Sequence, residues 1–262
     1  MVSLTTDFGT TGPYVGALHG VILSRHPAAR IVDLTHDVEV HWPAEAGFWL
    51  ERTYRHFPPG TVHVAVVESG MRVVRAGVLV RLDDHVFVGP DNGLLAPLAE
   101  RPEAKVHAIE NQALRGLGLE RASATFRGRD VQAPLGGAIA AGQIAPEAVG
   151  PEVEDWVPIL LEPARLSGGE VQGVVITVDG FGNVITNVSA ELVAHIPSAE
   201  VVVGGRSFPL RHSYDEGEPG SMVGLINAFG VLEIARLQRS AADQLGVGRG
   251  APIVVRRSLH RD

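Results

Sequence analysis

The sequence of 262 residues contains no cysteine. This absence excludes disulfide bonds, thiolate zinc sites and a cysteine nucleophile, and it gives no support to an oxidising compartment. Membrane and secretion signals are missing as well. Met1 leads directly into the strand-like Val2-Ser3-Leu4, and no apolar run reaches the roughly 18 residues of a membrane-spanning helix. We therefore expect a cytoplasmic protein without a membrane partner.

Basic charge is also scarce, with 22 Lys and Arg against 30 Asp and Glu and a formal net charge of -8. A dedicated nucleic-acid binder needs a concentrated basic surface, so we expect no nucleic-acid partner. The sequence lacks G-x-x-x-x-G-K-[ST], G-x-G-x-x-G after its first strand, H-E-x-x-H and G-x-S-x-G. These absences argue against nucleotide hydrolases of the P-loop type, dinucleotide enzymes, zincins and serine hydrolases.

Histidine gives no clear metal signal. The eleven histidines are dispersed along the chain, and Asp83-Asp84-His85 lies between two strand-like runs. A hairpin turn explains that tripeptide better than a metal site does. We therefore expect no metal.

Apolar residues make up 45% of the chain, which is enough for a substantial core. Up to about residue 150 their pattern alternates strands with helices, which predicts an α/β domain with an open, mostly parallel sheet and flanking helices. The run from Thr61 to Val67 is apolar on both faces and is typical of a central strand. The predicted strands are 2–6, 30–34, 61–67 and 76–82, and the predicted helices are 13–25 and 44–55.

The pattern changes after a stretch rich in Pro and Glu at 145–165. Short alternating runs separated by turn residues, with one brief helical patch at Ala241–Leu245, indicate a small all-β barrel or sandwich. We predict an α/β domain at 1–150 and an all-β domain at 165–262. The runs are Val171–Val178, Val184–Val188, Val201–Val203, Met222–Ala228 and Val231–Ala235.

Polar residues follow several of the predicted strands. Asp7 ends the first one, and open α/β sheets bind ligands at the carboxyl ends of their strands. A carboxylate there suits the paired hydroxyls of a ribose, although Asp-x-Gly is also a common turn. The same two interpretations, turn residue or member of a shared crevice, apply to the other positions. These are Asp33 with His36, Glu68, Asp91 with Asn92, and Arg127 with Arg129 and Asp130.

In the second domain the segment Asp179-Gly180-Phe181-Gly182-Asn183 separates two β-rich runs. Asn or Asp beside Gly is good hairpin chemistry, so a simple loop is one interpretation. The segment also combines an acid, an aromatic face and an amide. These groups would hold a zwitterion and a base, which is the second interpretation.

Taken in order, these segments resemble the SAM hydroxide adenosyltransferase family, the relatives of bacterial fluorinating and chlorinating enzymes. The resemblance spans nearly the whole chain. The segments that carry it are Thr5–Gly9, Tyr14–Gly16 with Gly20, Val32–His36, Phe57–Val62, Phe87–Leu95, Thr125–Phe126 with Gly128–Asp130, Asp179–Asn183 with Thr186–Asn187, and Leu225–Asn227 with Gly230–Ala235.

The resemblance implies an N-terminal α/β domain, a C-terminal β-barrel and a homotrimer. In that assembly the adenosyl ligand lies between the N-terminal domain of one subunit and the C-terminal domain of the next. The implied reaction is displacement at the 5' carbon of S-adenosylmethionine by water or hydroxide, which gives adenosine and methionine. S-adenosylmethionine is the substrate, and no cofactor is implied.

The resemblance also implies roles for five substrate-binding residues. Asp7 would hold the ribose hydroxyls, and Asp179 and Asn183 would face the ligand from the C-terminal domain. Phe181 would pack near the base. Trp42 aligns with an aromatic position that lines the site in halogenating relatives, and its alternative interpretation is a core residue at a helix entry.

The chain departs from the family where hydrolytic members position water with an Asp, an Arg and a His. Here Glu68 and Arg127 replace the Asp and the His, and Arg75 remains. Glu is longer than Asp by one methylene, and Arg is a fixed cation where His can share a proton. Further departures are Gly12, where relatives commonly carry an acid, and Ala228-Phe229 in place of a more polar pair.

Two functions remain open from the sequence. One is a SAM-cleaving enzyme in which Glu68, Arg75 and Arg127 surround the nucleophile. The alternative is a binding protein that keeps an adenosine or S-adenosylmethionine pocket and has lost hydrolysis through the changes at Glu68 and Arg127. A halide nucleophile is less favoured because Glu68 would repel an incoming anion.

Overall fold

The computed structural model describes residues 1–67, 77–123, 125–159 and 161–258. The chain divides into two units, Met1–Leu160 and Leu161–Asp262. Among the described residues, none of the helices has both the length and the apolar character that crossing a membrane requires.

The sheet of the first unit has six strands. They are β1 (Val2–Thr6), β2 (Ile31–Thr35), β3 (Val62–Val66), β4 (Val78–Leu82), β5 (His85–Gly89) and β6 (Lys105–Ala108). Their order across the sheet is β2-β1-β3-β5-β4-β6. Adjacent strands are parallel from β2 to β5, whereas β4 is antiparallel to both of its neighbours, so β4 alone of these strands runs in the opposite direction.

Helices cover both faces of this sheet. They are α1 (Tyr14–Arg25), α2 (Pro43–Thr53), α3 (Ala96–Ala99), α4 (Asn111–Gly116) and α5 (Ala133–Ala140), together with a π-helical turn at Gly128–Gln132 and short 3-10 turns at Tyr54–His56 and Pro146–Val149. Alternate residues of β3 enter two different cores. Val64 packs in the cluster that includes Ile22 of α1, and Ala65 packs in the cluster that includes Leu50 of α2.

The structure confirms the α/β fold predicted for the first part of the chain. All five residues of β3 are buried, and the strand lies inside the sheet, as its apolar run indicated. The hairpin at Asp83-Asp84 is also confirmed. Both residues have left-handed φ values, 49° and 59°, which a two-residue type I′ turn between antiparallel strands requires.

The second unit contains a closed barrel of seven strands. The strands are β8 (Glu170–Val178), β9 (Val184–Ser189), β10 (Ala199–Val203), β11 (Arg206–Arg211), β12 (Met222–Ile226), β13 (Val231–Arg236) and β14 (Pro252–Arg257), with β7 (Arg165–Ser167) paired to β8 outside the ring. Pairing of β14 with β8 closes the ring. Two short helices, α6 (Ala190–Val193) and α7 (Ala241–Leu245), accompany the strands. The predicted barrel is therefore confirmed.

The loop from β8 to β9 is fixed by its own hydrogen bonds. The Asp179 Oδ1 atom accepts bonds of 2.9 Å from the backbone N–H groups of Phe181 and Asn183, and its Oδ2 atom accepts one of 3.0 Å from Asn183 Nδ2. Gly182 has a φ of 81°, and its carbonyl accepts the backbone N–H groups of Ala241 and Ala242 at the start of α7. The loop is thereby tied to that helix.

A pair of histidines is buried in the first unit. His63 is 0% exposed, and its Nδ1 and Nε2 atoms lie 2.7 Å from Ser3 Oγ and 3.1 Å from His85 Nδ1. Burial, reinforced by the neighbouring His85, lowers the pKa of His63 to about 3. Burial also lowers the pKa of His85, against the opposing attraction of Asp83 and Asp84. Both imidazoles are therefore neutral in the folded protein at neutral pH.

We expect acid to destabilise the protein through this pair. In the unfolded chain a histidine binds a proton below about pH 6.5, whereas His63 resists protonation when folded, so the free energy of unfolding falls as the pH falls below that value. The slope reaches up to about 1.4 kcal/mol per pH unit for each such histidine. Urea unfolding at several pH values between about 7.5 and about 4.5 measures this slope. The range lies above the usual carboxyl pKa values, so the carboxyl groups contribute little to it.

The variant His63→Gln removes one titrating group and should flatten this slope, whatever its absolute stability. If His63→Gln does not fold, His85→Gln takes its place as the test variant. His56→Gln is the control, because His56 is exposed. Equal slopes in His63→Gln and the parent protein would contradict the assignment.

Gly182→Ala should destabilise the second unit. A Cβ atom there would lie 2.4 Å from Ser240 Oγ and 2.5 Å from Ser240 Cβ, in a backbone conformation that only glycine adopts freely. The left-handed φ alone costs about 1–2 kcal/mol, and the clash adds to it. Gly180→Ala in the same loop is the matched control, since its Cβ would meet no atom within 4 Å. Thermal unfolding that ranks the two variants equally would refute the argument.

Candidate functional site

Asp7 follows β1 directly, at the carboxyl end of the parallel strands. Its side chain is largely buried, with 9% of the residue exposed, and its Oδ2 atom accepts a 3.1 Å hydrogen bond from the backbone N–H of His41. Its neighbours are fixed by the connection after β2. His36 Nδ1 lies 2.9 Å from Thr6 Oγ1, and the His36 carbonyl accepts the Gly9 N–H at 2.8 Å. The structure therefore holds the Asp7 carboxylate in a defined position.

Trp42 belongs to the same neighbourhood. It follows His41, whose left-handed φ of 62° turns the chain, and it is the residue before Pro43 at the start of α2. The indole is partly buried. The hydrogen bond from the His41 N–H thus brings the start of α2 beside Asp7. Asp7 and Trp42, both predicted site residues, therefore lie near each other at the carboxyl ends of the parallel strands.

Arg127 is positioned by its neighbours on both sides. Phe126 contacts Phe8 and Tyr14 through edge-to-face ring pairs with centroids 5.5 Å apart. On the other side a Cβ atom on Gly128 would lie 2.8 Å from Val66 Cγ1, so the backbone there packs directly on the end of β3. Arg127 is partly buried and precedes the π-helical turn. It therefore lies near the carboxyl ends of β1 and β3.

The two charged residues after Arg127 pair with each other. Arg129 donates to both carboxylate oxygens of Asp130 at 2.6 and 2.9 Å, and this bond lowers the pKa of Asp130. The Asp130 carboxylate also accepts the Ser123 N–H at 2.7 Å. Arg129 and Asp130 therefore shape the loop that follows Arg127.

Glu68 and Arg75, the other predicted catalytic residues, lie outside the described residues. The chain enters that segment from Val67, whose carbonyl accepts a 2.8 Å hydrogen bond from Asn92 Nδ2. Asp91 Oδ1 accepts the N–H of Val157 at 2.8 Å. Asp91 and Asn92, which follow β5, thus bond to the backbone and fix its course beside the end of β3.

A second group of site residues lies at one end of the barrel. Phe181 has 84% of its surface exposed, and Asn183 is buried behind it. Both line a cavity of about 640 Å³, a size typical of small-molecule sites. The remaining lining residues are Tyr214 and the run from Ala235 to Ser240, where β13 ends. Asp179 supports this group through its bonds to Phe181 and Asn183.

Tyr214 is fixed in the cavity wall by a buried carboxylate. Its hydroxyl donates a short hydrogen bond to Glu233 Oε1, and Asn227 Nδ2 donates to Glu233 Oε2 at 3.2 Å. Burial, together with this bond, raises the pKa of Tyr214, so the phenol stays neutral. Tyr214, Arg236 and Arg239 are not among the residues that the sequence motifs select. Arg236 is the last residue of β13 and Arg239 follows three residues later, so position at a strand end was the available signal for these two, whereas Tyr214 lies in the 3-10 turn Tyr214–Glu216.

The first unit and the second unit offer different chemical groups to a ligand. The sheet edge offers a fixed carboxylate, Asp7, and a guanidinium, Arg127. The barrel cavity offers an exposed aromatic face at Phe181, the Asn183 amide and main-chain groups at the end of β13. A carboxylate suits vicinal hydroxyls, and an aromatic face beside an amide suits a planar base.

Comparisons with known proteins agree with this chemistry. Residues 2–150 match the SAM hydroxide adenosyltransferase N-terminal domain, and residues 173–254 match the C-terminal domain of the same family. An (R)-S-adenosyl-L-methionine hydrolase from Thermus thermophilus is 35% identical over 258 residues, which cover 96% of this chain and 98% of the relative. A fluorinase from Actinopolyspora mzabensis is 25% identical over 299 residues, with 98% and 97% covered.

A solved structure is also similar. The crystal structure of an uncharacterized conserved protein from Thermotoga maritima superposes with a TM-score of 0.87 at 30% identity, covering 98% of this chain and all of the other. The family resemblance found in the sequence is therefore confirmed, and the chain belongs to the SAM hydroxide adenosyltransferase family.

Proposed function

We propose that this protein cleaves S-adenosylmethionine by substitution at the 5' carbon with water or hydroxide. The observation that carries the proposal is the near full-length match to an (R)-S-adenosyl-L-methionine hydrolase. In this reaction the C5'–S bond breaks and its electron pair returns to sulfur, which leaves methionine as a neutral thioether. The new C5'–O bond completes adenosine, and one proton is released. The balanced reaction needs no cofactor.

Asp7 is proposed to bind the ribose hydroxyls. Its carboxylate is held at the carboxyl ends of the parallel strands by a hydrogen bond from the His41 N–H, and an ionised carboxylate offers about four acceptor sites in all. Trp42, at the adjoining helix entry, is proposed to line the same side of the ligand. Asp179, Phe181 and Asn183 are proposed to bind the base, with Phe181 supplying its exposed face.

Glu68, Arg75 and Arg127 are proposed to hold the nucleophile. A guanidinium does not give up its proton in proteins, so neither arginine is a base, and the proton of the attacking water passes to Glu68 or to solvent. The arginines stabilise developing hydroxide charge by electrostatic attraction. Since the sulfonium is cationic and the products are neutral, orienting and desolvating the nucleophile provides much of the rate gain.

Turnover of S-adenosylmethionine to adenosine, followed by chromatography, tests the proposal. Asp7→Asn should lower kcat/KM by about 10-fold to 100-fold, because hydrogen bonds to a charged group contribute about 1.5–3 kcal/mol. Asp37→Asn is the matched control, since Asp37 is an exposed carboxyl on the connection after β2. Its kcat/KM should equal that of the parent protein.

A parent protein with no turnover above a protein-free blank would overturn hydrolysis. The second candidate function, favoured by the substitutions Glu68 and Arg127, is then binding without chemistry. Calorimetry would show adenosine binding that Asp7→Asn weakens. In that case the double change Glu68→Asp with Arg127→His should restore hydrolysis if those two positions alone account for the loss.

The assembly implied by the resemblance is a homotrimer in which different subunits supply the two halves of each site. Mixing two impaired proteins, Asp7→Asn and Asn183→Ala, tests this arrangement. Random cyclic trimers would contain intact sites at about one quarter of the positions, so the mixture should recover up to about a quarter of the parent activity after subunit exchange. Sites formed within single chains would give no recovery, and sedimentation would establish the oligomeric state independently.

A further inference from the structure

Three side chains beside the Asp7 edge direct ligand atoms to one point. His19 comes from α1, Asp33 from β2 and His36 from the connection after β2. His19 Nε2 lies 2.8 Å from Asp33 Oδ1, and His36 Nε2 lies 3.1 Å from the same oxygen. All of the ligand atoms lie within 4.8 Å of one another. Sequence spacing showed only Asp33-x-x-His36, because the fold supplies His19.

These separations suit a shared metal ion. Metal–nitrogen and metal–oxygen bonds of about 2.0–2.2 Å place neighbouring ligand atoms roughly 3 Å apart. Two imidazoles and one carboxylate form a ligand set that Zn²⁺ and similar divalent transition ions accept. Three protein ligands also leave positions for water. The side chains of His19 and Asp33 are 32% and 40% exposed, so an ion can reach the group from solvent.

The state of His36 is an independent observation. Its side chain is nine-tenths buried, and among the described residues its Nε2 atom has no hydrogen-bond partner of acceptable geometry despite the nearby Asp33. Its other nitrogen, Nδ1, lies 2.9 Å from Thr6 Oγ1. Metal-binding histidines characteristically use one nitrogen in such an outer hydrogen bond, which orients the ring, and present the other to the ion.

We infer that His19 Nε2, Asp33 Oδ1 and His36 Nε2 form a binding site for a divalent transition ion of the Zn²⁺ type, with water completing the coordination. The ion would join α1 to β2 and to the connection that fixes Thr6 and Asp7. This site is additional to the proposed cleavage of S-adenosylmethionine and does not depend on it. It differs from the sequence-based expectation that the chain binds no metal, and metal binding decides between the two.

Metal binding tests the inference without any activity assay. Tag-free protein is treated with chelator, dialysed, and titrated with Zn²⁺ by calorimetry and with Co²⁺ by visible absorption. The parent protein should bind one ion per chain with Co²⁺ absorption bands typical of nitrogen and oxygen ligands. His19→Gln and Asp33→Asn should each weaken binding by more than about 100-fold, and Thr6→Val by about 10-fold to 100-fold through the loss of the outer hydrogen bond.

His56→Gln is the matched control, since His56 is an exposed histidine of the same unit and should leave affinity unchanged. Circular dichroism checks that each variant is folded. If Thr6→Val does not fold, His19→Gln still decides the test, because His19 lies on an accessible face of α1. The inference is overturned if the parent protein binds less than one ion per chain. It is equally overturned if His19→Gln and Asp33→Asn bind the ion as tightly as the parent, because the ion then lies elsewhere.

Discussion

The position of the Asp7 carboxylate depends on His36, which joins the ends of two neighbouring strands. Its ring contacts Thr6, the last residue of β1, and its carbonyl accepts the N–H of Gly9. Asp7 lies between those two contacts. The connection that begins at His36 then returns a backbone N–H from His41 to the Asp7 carboxylate. The geometry of that carboxylate is therefore set by the conformation of the next βα connection as much as by its own strand.

Three aspartates fix the shape of loops in this protein. Asp91, Asp130 and Asp179 each accept backbone N–H groups from their own loops or from a neighbouring segment, at 2.7 to 2.9 Å. These bonds satisfy donors that turns leave without helix or sheet partners, and so they define loop shape. An ionised carboxylate offers about four acceptor sites, so a loop-forming Asp can also face a ligand. An aspartate whose carboxylate fixes a loop can therefore still accept a hydrogen bond from a ligand.

The sequence predicted the elements whose burial is uniform. β3 is buried at every position and was predicted from its apolar run, and the β4–β5 hairpin followed from Asp83-Asp84. The strands β7, β11 and β14 were missed because arginines and prolines occupy several of their exposed positions, and both partners of β14 are distant in sequence. These segments are strands because they pair with neighbouring strands of the barrel, and the local sequence pattern does not record that pairing.

Prediction of the site had the same limit. Asp7, Phe181 and Asn183 were selected because family motifs contain them, and the structure places the last two in one cavity. Tyr214 and the end of β13 line the same cavity and were not selected, since separate segments of the barrel bring them there and no motif contains them. His19 was missed for a similar reason: it meets Asp33 only because α1 packs beside β2. Residues from separate elements converge through tertiary packing, which sequence spacing does not record.

The β8–β9 loop shows what a rigid support does for an exposed aromatic ring. Phe181 extends into solvent, yet the backbone on both sides is held by Asp179 and by the bonds from Gly182 to α7. A ring displayed on a mobile loop would lose conformational entropy when a base stacked on it, at roughly 0.5–1.5 kcal/mol for each ordered side chain and more for its backbone. Here the hydrogen bonds already order the backbone on both sides of the ring, so a planar group that stacked on Phe181 would keep a larger share of its stacking energy as affinity.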